Sequence, residues 1–128
     1  MSGKGFEELE VWQLSRQLAS DVYKIVSLFE KSDLFTLGDQ IRRSAISIPS
    51  NIAEGAARGS DKDFIRFIRI SLGSCAELRT QIYIGKDNNL ITPKIFDDLD
   101  KRIDQIGRML KGLERGVANK KQLMTSNQ

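Results

Sequence analysis

Residues 37–58, LGDQIRRSAISIPSNIAEGAAR, decide how the rest of the chain is read. Ile41, Ala45, Ile48 and Ile52 are spaced four, three and four, which is one face of an α-helix turned towards a core. Ser44, Ser47, Asn51, Glu54 and Arg58 form a second, polar stripe beside it. Two readings fit that stripe: a solvated side, or a side of short polar residues that admits a neighbouring helix and bonds to it. Pro49 interrupts neither stripe. An interior proline lacks an N–H and crowds the carbonyl four residues back, at about 3 kcal/mol. Because the phase survives across it, the segment reads as one kinked helix, with the Ala45 carbonyl seeking a hydroxyl or water as donor.

Working outward, residues 7–29 carry Val11, Leu14, Leu18, Val22, Ile25 and Phe29 at helical spacing and predict a long amphipathic first helix. Trp12 and Tyr23 flank that stripe. A loop is expected over 30–35, with Thr36 and Asp39 forming a capping box at the start of the second helix. Gly59 suits a left-handed residue after the second helix, and Ser60 an N-cap for the third. So short a link makes these two helices antiparallel neighbours.

The third helix is predicted over 61–86, with Phe64, Phe67, Ile68, Ser71, Cys75, Leu78 and Ile82 inward. Its middle holds the small residues Gly73, Ser74, Cys75 and Ala76. A glycine inside a helix costs about 1 kcal/mol against alanine. Gly73 and Ser74 are therefore expected to let this helix approach the 44–51 zone closely. Glu77 and Arg79 flank the zone as partners for Arg58, Glu54 or Arg43. Asp87, Asn88 and Asn89 break the helix, and Thr92-Pro93 restarts it as N-cap and N1. Ile95, Leu99, Ile103, Ile106, Leu110 and Leu113 then form the last inner stripe. Four amphipathic helices without a strand signal predict an all-α, antiparallel up-down-up-down four-helix bundle. The expected organisation is a flexible lead over 1–5, the bundle over 6–115, and a frayed or disordered tail over 116–128.

Composition narrows the function classes. The chain has 128 residues, enough for one core and hardly two. It has no histidine, so the commonest general base and metal ligand are both missing. Its one cysteine, Cys75, cannot form an internal disulfide or a multi-cysteine zinc site and reads as a buried, inert thiol. No phosphate-binding glycine loop or nucleophile elbow is present. Asp97, Asp98, Asp100 and Asp104 read as a solvated face of the last helix. The expectation is a non-enzyme with no catalytic residue, metal, cofactor or small-molecule substrate. No apolar run reaches membrane-span length and the start lacks a signal-peptide core, so a soluble, cytoplasmic protein without a membrane partner is expected.

Basic residues remain as the chemical resource. The net charge of +3 is compatible with a polyanion and no more. Arg42 and Arg43 are adjacent, Arg66 and Arg69 lie one turn apart, and Arg108, Lys111 and Arg115 share a face. Such spacing can meet successive phosphates, although Asp39, Asp61, Asp63 and Asp104 interleave and no aromatic platform appears.

The run QIRRSAISIPSNIAEGAAR, the FIRF and SLGSCAEL segments and the opening LEVWQLSRQLASDVY together resemble the four-helix-bundle proteins encoded by intervening sequences in bacterial 23S ribosomal RNA genes. The resemblance covers roughly residues 6–113. Those proteins are similar in fold to the accessory protein of diversity-generating retroelements, a nucleic-acid-binding homopentamer. The resemblance thus implies a homo-oligomer, a pentamer, that binds RNA or DNA. The matching positions are Arg42, Arg43, Asn51, Glu54, Gly55 and Arg58; Pro49, Gly73, Ser74 and Glu77 complete the structural motif. Arg42, Arg43, Arg58, Arg66 and Arg69 are the candidate nucleic-acid contacts. Ala56 and Ala57 replace a larger residue of the pattern, and KSDL lacks the proline often found after the first helix. The competing function is a structural scaffold or protein-interaction module without nucleic-acid contact.

Overall fold

The computed structural model describes residues 5–126, with side chains described through residue 120. Four long helices make the fold: α1 (Glu10–Val26), α2 (Asp39–Ala57), α3 (Asp61–Asp87) and α4 (Pro93–Ser126). No strand occurs among the described residues. Among the described residues, no helix is long and apolar enough to cross a membrane.

The periodic residues predicted to face inward do so. Ile41, Ala45, Ile48 and Ile52 of α2 are buried against Leu18 and Val22 of α1, Ile68, Leu78 and Ile82 of α3, and Leu99, Ile103, Ile106 and Leu110 of α4 in one continuous core. Fully burying a side chain of this size contributes about 1.5–3 kcal/mol, an upper figure because the unfolded chain already hides some of it.

Contacts fix the helix directions. Gly38 lies against Val26 and Arg42 against Tyr23, so α1 and α2 run antiparallel. Gly55 meets Phe67, and Ser47 meets Ser74, so α2 and α3 do too. Arg69 reaches Glu114 while Arg79 reaches Asp100, which sets α3 against α4. The α2–α3 contact is the most extensive in the molecule and α1–α4 is slighter.

The caps behave as the sequence predicts at two junctions. Gly59 has φ +83°, and the Asp63 N–H donates to Ser60 Oγ at 3.1 Å. The Ile95 N–H donates to Thr92 Oγ1 at 3.2 Å ahead of α4. Asn89 also takes a left-handed φ of 61° in the turn between α3 and α4.

Elsewhere the outcome differs. A 3₁₀ turn, Gly5–Glu8, precedes α1, and α1 stops at Val26, short of Phe29. The expected loop is a single helical turn, Lys31–Asp33, running into a π-helical segment, Leu34–Gly38. No capping box forms, because Thr36 Oγ1 donates back to the carbonyls of Ser32 and Asp33, and backbone already helical upstream of Asp39 has no free N–H for it to cap. A single helix passes through Pro49. The hydroxyl drawn to this region, Ser71 Oγ, donates to the Ile48 carbonyl at 3.0 Å, not to that of Ala45. α4 continues through Gly116 to Ser126, since neither proline nor a left-handed residue interrupts it. The expectations for residues 1–4 and 127–128 lie outside the described residues.

The glycine prediction is corrected. Gly73 is exposed, and a Cβ built there would meet nothing within 4 Å. It lies two residues from both Ser71 and Cys75, on the far side of α3 from the core. The close approach between α2 and α3 occurs at Gly55, where a Cβ would sit 2.6 Å from Phe67 Cβ and 3.2 Å from Phe64 Cδ1. Ser74 does face α2: its hydroxyl is 2.7 Å from that of Ser47, which also accepts from Asn51 Nδ2 at 2.9 Å. The polar stripe of α2 therefore divides. Ser44, Ser47 and Asn51 are covered by α3, while Glu54 and Arg58 are solvated.

Candidate nucleic-acid interface

The five arginines singled out from sequence do not form one patch. Arg42 is part of the packing. Its guanidinium lies 4.0 Å over the Tyr23 ring and donates from Nη2 to the Tyr23 carbonyl at 3.2 Å, while Nε is buried without a hydrogen-bond partner. A guanidinium so held clasps α1 to α2. Arg43 is exposed beside it, on the rim of a polar groove between α2 and α3 that also includes Ser47, Ser74, Glu77 and Gln81. Sixteen residues separate Arg42 from Arg58, about 24 Å along a helix.

Arg58, Arg66 and Arg69 do come together at the opposite end. The Gly59 turn folds α3 back along α2, placing Arg58 and Arg66 over the same ring, Phe67, at 5.1 and 4.4 Å. Phe67 is itself pressed against Gly55, so the close approach of the two helices supplies the platform on which both guanidiniums rest. Each also has a carboxylate partner. Arg58 pairs with Glu54 at 2.8 Å, Arg66 with Asp63 at 3.5 Å and Arg69 with Glu114 at 3.1 Å. All three arginine side chains are about half exposed or more. Ion pairs of that kind are worth roughly 0–1 kcal/mol, too little to keep an arginine from a phosphate.

Antiparallel packing also brings the C-terminal half of α4 to this end, with Lys111, Arg115 and Lys120, while Arg108 lies nearer mid-helix. Together with Arg58, Lys62, Arg66 and Arg69, the first three make seven basic residues against Glu54, Asp61, Asp63 and Glu114. That leaves an excess of three on the α3 and α4 side of this end, equal to the net charge of the whole chain. Lys62, Lys111 and Arg115 make no ion pair among the described residues. The acidic start of α1, with Glu7, Glu8 and Glu10, lies at this same end and packs on the α2 and α4 side, diagonal to α3.

Arg79 is not a partner for the α2 charges. It turns to α4, donating from Nε to Asp100 at 2.7 Å with Asp104 at 3.8 Å, and the Asp100 hydrogen bond raises its pKa. Asp104 Oδ2 also forms an ion pair with Arg108 Nε at 3.0 Å. Asp100 and Asp104 are thus structural ion-pair partners, not a merely solvated face. Glu77 stays exposed. Burial raises the Cys75 thiol to about 11, which keeps it protonated and unreactive near neutrality. The sequence names Arg58, Arg66, Arg69, Arg108, Lys111 and Arg115, but only the pairing of α3 with α4 shows that they share one side of the bundle.

A family model described as 23S rRNA-intervening sequence protein matches residues 7–112. Among solved structures, a crystal structure of a protein of unknown function from the S23 ribosomal protein family of Bacteroides thetaiotaomicron superposes with a TM-score of 0.74 at 24% identity, covering 81% of this chain and 97% of that one. At that identity the likeness shows the fold alone. No curated protein matches the chain.

Proposed function

We propose that this chain, which belongs to the 23S rRNA-intervening sequence protein family, is a non-enzymatic, homo-oligomeric protein that binds RNA or DNA through its basic end. The observation that carries the reading is the gathering of Arg58, Arg66 and Arg69 with Lys62, Lys111 and Arg115 on the α3 and α4 side of one end, with Arg108 nearer mid-helix on the same side. Several cations within a few turns of helix can each replace a condensed counterion on a phosphate backbone, which gives strongly salt-dependent and largely sequence-independent affinity. On this reading Arg42, engaged with Tyr23, contributes more to the packing of α1 on α2 than to the interface. The homo-oligomer, a pentamer by resemblance, agrees with Ile46, Ile70 and Ile84 left exposed along the outer sides of α2 and α3. A cytoplasmic setting agrees with a lone protonated thiol.

The test is fluorescence anisotropy with labelled RNA and DNA at low salt, paired with light scattering. Binding that weakens steeply as salt rises, by an assembly of several chains, supports the reading. An assembly that ignores nucleic acid at low salt assigns the chain to a structural scaffold instead, and a monomeric mass removes the oligomer.

A further inference from the structure

Between α3 and α4, on the outer side of the bundle, lies a groove of about 410 Å³. Its floor is apolar: Leu72, Cys75 and Ala76 from α3 face Ile103 and Gly107 from α4. Its rim is basic, with Arg79 on one side and Arg108 and Lys111 on the other. The volume falls in the range of roughly 300–1,000 Å³ typical of small-ligand clefts. Gly107 helps keep the groove open, since a Cβ there would meet nothing within 4 Å. The carboxylate within reach, Asp104, is already engaged by Arg108 Nε and lies near Arg79, so it does not stand as an isolated negative charge.

We propose that this groove seats one nucleotide of a single strand, with the base on the apolar floor and the phosphate held by Arg108 and Lys111. The inference rests on the nucleic-acid reading and names the form of nucleic acid. A base inside a duplex offers only its edge, whereas an unpaired base offers a face to an apolar surface. The chain lacks an aromatic platform here, and Arg79 takes that part. Asp100 and Asp104 hold its guanidinium in place at the groove edge, and a fixed guanidinium plane stacks on a base much as an aromatic ring does. Arg108 and Lys111 lie three residues apart on α4, close enough to share one phosphate. Lys111 makes no ion pair among the described residues, and the pair made by Arg108 uses Nε, leaving its terminal nitrogens for the ligand.

The experiment compares two labelled oligodeoxynucleotides of about twelve nucleotides, one with bases and one abasic, by anisotropy at low salt. The parent is expected to bind the base-bearing strand about tenfold tighter, since one stacked base is worth roughly that factor. Gly107→Leu fills the groove and is expected to erase the preference while melting at or above the parent temperature. Lys111→Glu is expected to weaken both strands. Displacement of the strand by adenosine monophosphate, lost in Gly107→Leu, supports the same site and adds free nucleotide as an occupant. Equal binding of the two strands by the parent, or a preference that survives Gly107→Leu, overturns this inference and leaves the nucleic-acid reading standing. Failure of both strands, and of a base-bearing RNA strand of the same length, to bind overturns the reading beneath it.

Discussion

Gly55→Ala is the most informative single change in the fold. The added methyl would lie 2.6 Å from Phe67 Cβ, about 1 Å inside ordinary contact. Both atoms are fixed to helix backbones, so no rotamer change relieves the clash, and α2 and α3 must separate. Overpacking of this kind costs about 1–3 kcal/mol, and the rigid geometry argues for the upper end. Alanine returns about 1 kcal/mol in helix propensity, leaving a net loss of about 2 kcal/mol. At roughly 4 °C per kcal/mol for a chain of this size, the melting temperature should fall by about 8 °C. Gly73→Ala is the internal control. Its methyl meets nothing, so only the propensity gain of about 1 kcal/mol remains and stability should rise. Urea denaturation followed by circular dichroism measures both. A Gly55→Ala protein as stable as its parent would refute the close approach, and a Gly73→Ala protein that loses stability would restore Gly73 to the helix contact.

Arg42→Ala should destabilise the fold by about 1 kcal/mol, through loss of the Tyr23 stacking and hydrogen bond, while nucleic-acid affinity stays near that of the parent. Unfolding curves and anisotropy on the same preparation separate the two effects, and a large affinity loss without a stability change would return Arg42 to the interface. Cys75 makes stability depend on pH in the alkaline range. Its folded pKa of about 11 lies above the ordinary value of 9.0, so its neutral form is favoured in the native state. Its contribution is complete below the ordinary pKa and is lost as pH rises towards about 11, because the unfolded chain deprotonates first. Cys75→Ala should therefore flatten part of the alkaline fall in stability; identical pH profiles for the two proteins would show that the thiol is not buried as described.

What could be read from the sequence followed from local rules. The inner stripes of α2 and α4 appear because one residue in three or four must face the core, and Ile41, Ile48, Leu99 and Ile106 obey that spacing without exception. Ser60 and Thr92 were legible because a short hydroxyl before an acidic or proline first turn has few other uses. Gly73 was misread although the same periodicity places it on the outer side. Its small size suggested a helix contact, and azimuth, not size, decides which residues meet. Gly55 sits three residues after Ile52 on the inner stripe and carried the better signal. Lateral charge pairing was less accessible. Arg79 chooses Asp100 over any acid on α2, and that choice depends on which helices lie side by side. The basic end was hidden for the same reason, because its cations come from segments some 40 residues apart that only antiparallel packing brings together.

The salt dependence of nucleic-acid binding tests the central claim most directly. With Arg66, Arg69 and Lys111 all changed to alanine, three phosphate contacts disappear from the basic end. The slope of log affinity against log salt should then become shallower by roughly two to three units, at about 0.7–0.9 per contact. Arg42→Ala should leave that slope where it is. A triple variant that keeps the parent slope would contradict the account and move the interface, if there is one, elsewhere on the bundle.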